Sequence, residues 1–208
     1  MKTAIRFCLC AAILATLPAC SATGVNPDRL YEGSYESYRD VYEEWTRAGK
    51  IYHNFDTELV VDATMYSKVF RDALRGETAR AEALPANDVA KMQKRDEEEL
   101  GRVVKVFVSA YMPRREWNNL ADAKSPSFRF WLVDADGRRA RPERIEEIKL
   151  KRRADVLYKP QVHPWARNYA IEFPAHDENG QALRLSGGAV KLHVTGVQGQ
   201  ADLVWDIP

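Results

Sequence analysis

The stretch GAVKLHVTGVQGQADLVWDI, residues 188–207, carries the pattern that decides the fold. Both of its halves place apolar side chains on every second residue. These residues are Val190, Leu192, Val194, Leu203, Trp205 and Ile207. The turn-forming pair Gln198-Gly199 lies between the halves. A period of two around a turn signal predicts two strands, each with one buried and one wet face.

The same period recurs upstream, from Gly101 onwards. The apolar faces are Val104 to Ala110, Phe128 to Leu132, Tyr169 to Phe173, the pair Leu183 and Leu185, and a weaker, highly charged one at Ile148 and Leu150. Turn signals separate them at Asp136-Gly137, Asn179-Gly180 and Gly187-Gly188. Many short strands with close turn signals indicate an antiparallel sandwich or barrel. We predict a mainly β fold, an antiparallel β-sandwich of immunoglobulin-like type.

Helical spacing replaces this period in the first half of the chain. An aromatic stripe from Tyr35 to Trp45 predicts an N-terminal helix that stops at Gly49 and packs on the domain. A strand follows from Phe55. A helical insertion is then expected over 67–101, with Ser67 as the first cap, Asn87 or Asp88 as the second, and Gly101 as the end. Its acidic run, Asp96 to Glu99, is expected to be a solvated face.

The N-terminus has the layout of an export signal. Lys2 and Arg6 precede an apolar run, Phe7 to Leu17, which is too short to span a bilayer. The run ends in Leu17-Pro18-Ala19-Cys20, which resembles the lipobox of bacterial lipoprotein precursors. That resemblance implies a signal peptide at 1–19, lipidation of Cys20, and a lipidated tether at 20–33. The alternative is a plain secretory signal that leaves Cys20 as a free thiol.

This resemblance also implies a location. We expect the protein in the cell envelope, held by its lipid anchor to the outer membrane and facing the periplasm. The rest of the chain resembles uncharacterised lipoproteins of Gram-negative bacteria and no named family. We therefore expect a single domain over 34–208 that works at a membrane surface.

Composition narrows the function further. Residues 1–19 contain two basic residues and no acid, so their removal takes the net charge of +1 to slightly negative. A nucleic-acid partner is therefore not expected, because phosphate neutralisation needs a basic excess. Cys20 would be the one cysteine left, which excludes an intrachain disulfide and a cysteine nucleophile.

No motif predicts a catalytic, cofactor-binding or metal-binding residue. The histidines outside the signal are His53, His163, His176 and His193, and no two have the spacing that one helix or strand needs to hold a metal. Gly-x-Ser-x-Gly and glycine-rich nucleotide loops do not occur. A metal site assembled from separate strands remains an alternative.

Three segments suggest binding instead. Residues 138–153 hold eight basic residues, which predict either a polyanion-binding patch or a charged edge strand that resists strand addition. Two loops pair tryptophan with arginine, at Arg114 and Trp117 and at Trp165 and Arg167, in the composition of a binding hot spot. The same tryptophans could instead close the end of the core.

The sequence thus predicts a non-enzymatic binding or structural module. Its expected partners are the membrane, through the anchor, and another envelope protein or a polyanion. The alternative is a metal-dependent or hydrolytic envelope enzyme whose site the sequence does not reveal.

Overall fold

The computed structural model describes residues 23–150, 158–160 and 162–208. The predicted signal peptide, Cys20 and the basic residues Lys151, Arg152 and Arg153 lie outside this part. Within it, no helix combines the length and the apolar character that a membrane crossing requires.

The described residues form three α-helices and nine strands. The helices are α1 (Tyr35–Glu44), α2 (Lys68–Ala81) and α3 (Ala86–Leu100). The strands are β1 (Thr46–His53), β2 (Asp56–Met65), β3 (Val103–Tyr111), β4 (Phe128–Val133), β5 (Arg139–Ala140), β6 (Arg144–Ile148), β7 (Arg167–Pro174), β8 (Gly188–Gly196) and β9 (Gly199–Ile207). A 3₁₀ turn covers Arg115–Trp117.

The strands form two antiparallel sheets, in the orders β1-β2-β3-β7-β6 and β5-β4-β8-β9. This confirms the predicted mainly β, sandwich-like fold. Residues 188–207 form the β8–β9 hairpin, in which Gly196 faces Gly199. Its loop is therefore Val197-Gln198, one residue earlier than the turn pair suggested.

The core lies between the two sheets, where the predicted apolar faces meet. Val106, Val108, Ile171, Leu192 and Trp205 are completely buried. β3 is buried on both faces, since Phe107 and Ser109 on its other side are also buried. The Lys159 ammonium lies 5.1 Å from the centre of the Phe107 ring on that side. A central strand buried twice is what a sheet sandwiched between two layers requires.

The N-terminal helix is shorter than predicted. It begins after Ser34, whose Oγ accepts a hydrogen bond from Ser37 N, and ends at Glu44, so β1 occupies the expected last turn. Gly49 is a packing residue there, because a Cβ at this position would lie 3.2 Å from Leu203 Cδ1. The aromatic stripe itself packs on the domain as predicted, with Tyr38 and Tyr42 buried.

The helical insertion between β2 and β3 is confirmed, with Ser67 capping α2 and Gly101 ending α3. The predicted second cap is wrong: α3 starts after Pro85 without a side-chain cap, and Asn87 and Asp88 lie inside the helix. Proline fits this start because the first helical N–H groups have no partner within the helix.

The acidic run is solvated only in part. Glu97 and Glu98 are exposed, whereas Asp96 and Glu99 pair with the buried Arg71 at 3.3 and 2.8 Å. This ion-pair cluster fastens α3, which has no buried residue of its own, to α2.

Two predicted strands differ from the structure. Leu183 and Leu185 do not form one, because Arg184 bonds to the β4–β5 turn: its N–H donates to Asp134 Oδ2 and its carbonyl accepts from Ala135. The charged strand, β6, ends at Ile148 and leaves Leu150 outside. It is the edge of its sheet, as the charged-edge interpretation predicted.

Residues 23–31 run along the domain. Val25 N donates to Asp206 O, and Asp206 N donates to Thr23 O, at the C-terminal end of β9. Tyr31 Oη donates to Glu77 at 2.7 Å. Burial, together with this hydrogen bond to the carboxylate, raises the pKa of Tyr31 to about 12. Residues 23–31 of the segment expected to be a tether are therefore packed against the domain. We call this end of the sandwich the Thr23 end.

Val106→Asp should unfold the domain, whereas Lys105→Asp should not. Val106 is completely inaccessible in the core, so the aspartate would be a buried unpaired charge that costs several kcal/mol (~5). Lys105 lies on the other face and only pairs with Glu172 at 3.6 Å, so its loss should cost about 1 kcal/mol. Thermal unfolding compares them, and equal melting temperatures would contradict the assignment of the faces.

Candidate functional site

Four connections leave the sandwich at the end opposite Thr23. β2, β3 and β7 share this end, since Val60 faces Tyr111 and Ala110 faces Arg167. The β8–β9 hairpin joins them, because a Cβ at Gly199 would lie 2.8 Å from Ile51 Cγ2, near the tip of the β1–β2 hairpin. This arrangement gathers both hairpin tips, the loop after β3 and the loop before β7.

This end carries most of the exposed large apolar side chains. In the part of the chain that the structure describes, five are strongly exposed: Leu30, Tyr52, Phe55, Trp165 and Val197. All except Leu30 lie here, and we call these four the apolar tip. Scattered exposed apolar residues are ordinary, but a cluster on one surface marks an interaction site.

Phe55 has a backbone conformation in the apolar tip that does not stabilise the folded domain. His53 pairs with Asp56, so the hairpin turns on Asn54-Phe55 alone, with φ of 48° and 73°. Two positive φ values suit Asn-Gly, and a bulky side chain there is strained. The residue is also fully exposed to solvent, so it gains no burial in return. Strain without burial points to a role outside the folded monomer.

The second hairpin repeats this arrangement at Val197. A β-branched residue at the tip of a two-residue loop is almost fully exposed. Beside it, the Gln198 side-chain oxygen is buried and finds no hydrogen-bond donor within the described residues. Both tips therefore present apolar groups where turn chemistry favours glycine or short polar residues.

The loop after β3 is held rigidly behind the tip. Asn118 is buried and donates through Nδ2 to Ala110 O at 2.7 Å, while Tyr169 Oη donates to its side-chain oxygen at 2.8 Å. Trp117 packs half-buried against the core, with the Arg114 guanidinium 4.3 Å from its ring centre. This packing fixes the position of Arg114.

Arg115 joins the two predicted loops. Its guanidinium lies 5.5 Å from the ring centre of Trp165, which is 62% exposed. The Trp165 backbone is held by His163, because its N–H donates to His163 Nδ1. The His163 ring in turn lies 5.5 Å from the Tyr111 ring, tilted by 52°. The tryptophan loops therefore form one surface through a cation–π contact.

Arg167 lies beside these loops. It donates to Asn118 O at 3.0 Å and lies 3.8 Å from Glu147, so it braces the Trp117 loop from the side. Of the four residues that the sequence singled out, Arg114 contacts Trp117, Arg167 bonds to the loop of Trp117, and Trp165 is joined to that loop through Arg115. The sequence reasoning missed Tyr52, Phe55 and Val197, although an apolar residue between Asn54 and Asp56 was an available signal.

The charges at this end nearly balance. Within the described residues, neither Arg114 nor Arg115 forms an ion pair, but acids lie close to them. A cleft of about 150 Å³ brings Asp56 and Glu58 beside Arg114 and Trp117. The surface therefore combines aromatic groups with mixed charge and is not a basic patch.

The basic segment 138–153 is also largely neutralised where it can be described. Arg138 pairs with Asp134 and Asp136. Arg141 pairs with Glu178 at 2.8 Å, and Arg144 with Glu146 at 2.6 Å. These pairs favour the charged-edge interpretation over polyanion binding.

Among the described residues, histidines lie near carboxylates in two places. Burial raises the pKa of Asp62, and the nearby charges of Lys50 and His163 lower it. The second pair is on an open sheet. His193 Nδ1 lies 2.6 Å from Asp202 Oδ1, across the outer face of β8 and β9. In residues 23–150, 158–160 and 162–208, no three metal-ligating side chains converge. A cross-strand pair on a wet face serves sheet pairing and gives the enzyme alternative no specific support.

Comparisons with known proteins leave the family open. No family model matches the chain, and no curated protein matches it. Among solved structures, the chain is similar to a novel protein of unknown function from Burkholderia pseudomallei, at 14% identity and a TM-score of 0.36. The match covers 88% of this chain and 93% of the other.

Trp117→Ala should lower the free energy of unfolding more than Trp165→Ala does. Trp165 is mostly exposed, so its truncation should change the free energy of unfolding by less than about 0.5 kcal/mol. Trp117 packs against the core, so its truncation should cost about 2 kcal/mol. Urea unfolding of both variants measures this. An equally large loss for Trp165→Ala would make it a core plug and remove it from the binding surface.

Proposed function

We propose that this protein is a lipid-anchored envelope lipoprotein whose domain is a non-enzymatic binding module, and that the apolar tip binds another envelope protein. The observation that carries the proposal is the position of the tip. Tyr52, Phe55, Trp165 and Val197 lie at the end of the sandwich opposite the Thr23 end.

This placement suits a protein held at its N-terminus. Thr23 bonds to Asp206 near the C-terminal end of β9, whereas Val197 lies just before the first residue of that strand. Nine extended residues separate the two ends by about 25–30 Å. With Cys20 lipidated, only three residues before Thr23, the tip would face away from the membrane and towards partners in the periplasm.

The chemistry of the tip favours a protein partner over a polyanion. Protein interfaces are enriched in aromatic residues and arginine, and Trp165 with Arg115 supplies both where two loops meet. A polyanion would need a basic excess, whereas Asp56 and Glu58 lie beside Arg114. Mixed charge around an apolar centre instead matches the rim and core of a protein interface.

The anchor has its own test. Cys20→Ala should release the protein from membranes or leave its precursor uncleaved, because the acylated sulfur would be missing. Cells labelled with a radioactive fatty acid should show the label in the wild-type protein and not in the variant. A wild-type protein without label would rule out the anchor.

The tip can be tested by photo-crosslinking in intact cells. A photoreactive amino acid at Val197 should give a discrete heavier product, whereas the same residue at Lys94, exposed on α3, should not. Phe55→Gly should lower the Val197 product about tenfold or more, as loss of a hot-spot aromatic does. It should also raise the free energy of unfolding by about 0.5–1 kcal/mol, because glycine accepts the positive φ.

This opposite pair of effects separates binding from folding. A product of equal yield from Lys94, or a Val197 product that Phe55→Gly leaves unchanged, would contradict binding at the tip. Neither result depends on the lipid anchor, which the fatty-acid labelling tests by itself.

A further inference from the structure

A second cavity lies at the Thr23 end, away from the apolar tip. It has a volume of about 440 Å³ and lies between residues 27–31, the first turn of α2, and the neighbouring ends of β1, β2, β3 and β9. Ligand pockets typically have volumes of about 300–1,000 Å³, so this cleft has the size of a binding site.

The walls of this cleft are mostly apolar. Its lining includes Trp45, Met65, Val104, Leu185 and Ile207. Leu30 also lines it, although 79% of this side chain is exposed to solvent. A folded monomer gains little from an open apolar cleft with an exposed leucine beside it, which points to an apolar occupant.

Trp45 adds an unused polar group. The residue is buried, yet its indole Nε1 has no hydrogen-bond acceptor within the described residues. Buried indole N–H groups usually find a partner. The other buried indole in this region, that of Trp205, does so by donating to Trp45 O at 3.0 Å.

We propose that this cleft takes one acyl chain of a phospholipid from the membrane that holds the protein, an inference that rests on the proposed lipid anchor. The position of the N-terminus argues for this occupant. Cys20 lies three residues before Thr23, and three extended residues reach at most about 10 Å. Two backbone hydrogen bonds, from Asp206 N to Thr23 O and from Val25 N to Asp206 O, fix this exit beside Ile207, which lines the cleft.

The charges around the cleft explain why the acyl chain, and no particular headgroup, is the recognised part. Arg29 is paired with Glu44 at 2.6 Å, and Lys68 with Asp72 at 2.7 Å. No excess charge is left between these pairs to select an anionic headgroup. The headgroup would stay in the membrane surface while one chain enters the cleft.

The test uses the mature lipidated protein, from which residues 1–19 have been removed, in vesicles of phosphatidylethanolamine and phosphatidylglycerol. A tracer phosphatidylethanolamine carries a diazirine at the end of one acyl chain, and peptide mapping after irradiation locates the adducts. We expect adducts on cleft residues such as Met65 and Val104. Leu185→Trp fills the cleft and should reduce them at least tenfold, whereas Val197→Trp, at the far end, should leave them unchanged.

A second arm separates the cleft from the anchor. The full-length Cys20→Ala variant is mixed in solution with a lysophospholipid that carries the same diazirine. Adducts on cleft residues in the vesicle arm, with or without adducts in the second arm, support the proposal. Absence of cleft adducts in both arms overturns it, as does an equal yield from Leu185→Trp.

The remaining outcome concerns the protein's own lipid. In this outcome, cleft adducts form on Cys20→Ala in the second arm and not on the wild-type protein in the first. If the N-terminal peptide of the wild-type protein then carries lipid, its own acyl chain occupies the cleft, and this result overturns the phospholipid proposal. If that peptide carries no lipid, the anchor is wrong and the cleft still binds a chain. The mass of the N-terminal peptide distinguishes the two failures.

Discussion

The packing of β1 against β9 is the contact on which the rest of the structure depends. It joins the two sheets along one side: Trp205 is buried there and donates to Trp45 O, and Arg47 Nε donates to Val204 O at 2.7 Å. Gly49 makes the close approach possible, since a Cβ would press on Leu203. This contact closes one side of the sandwich, so that the apolar faces of both sheets are buried against each other. Such hydrophobic burial is the dominant stabilising force in folding.

This closure also sets the two ends of the molecule apart. It aligns the β1–β2 and β8–β9 hairpins at one end, where Ile51 lies close to Gly199. At the other end it leaves the edge of β9 open to Thr23 and Val25, whose backbone bonds to Asp206 fix the N-terminal segment. One packing contact therefore positions both the proposed partner surface and the proposed acyl-chain cleft.

The two candidate sites depart from local rules in the same way. Phe55 occupies a strained turn position that stability alone would give to glycine, and Leu30 is exposed beside an apolar cleft. Elsewhere the chain is locally consistent: Ser34 and Ser67 cap their helices, and the inward faces of β3 and β8 are apolar throughout. Departures that cluster against a consistent background are expected at functional sites.

The sequence by itself determined the fold class, the helical insertion and the buried faces, because these depend on a period of two or 3.6 along the chain. The lipobox prediction also came from local residues alone. Sequence could also place Trp117 and Trp165 on loops, but it could not show that the two loops touch. They touch where Arg115 of the first loop lies over the ring of Trp165 in the second.

Only the tertiary structure decided that β1 replaces the end of the first helix, because Gly49 is selected by Leu203, far along the chain. The same holds for the exposure of Phe55 and Val197 on one end, and for the cleft beside Thr23. Each arises where segments remote in sequence meet, and a local pattern contains no information on such contacts. The physical reason is that side-chain periodicity reports which face of an element is buried, whereas the partner of that face is set by packing of the whole chain.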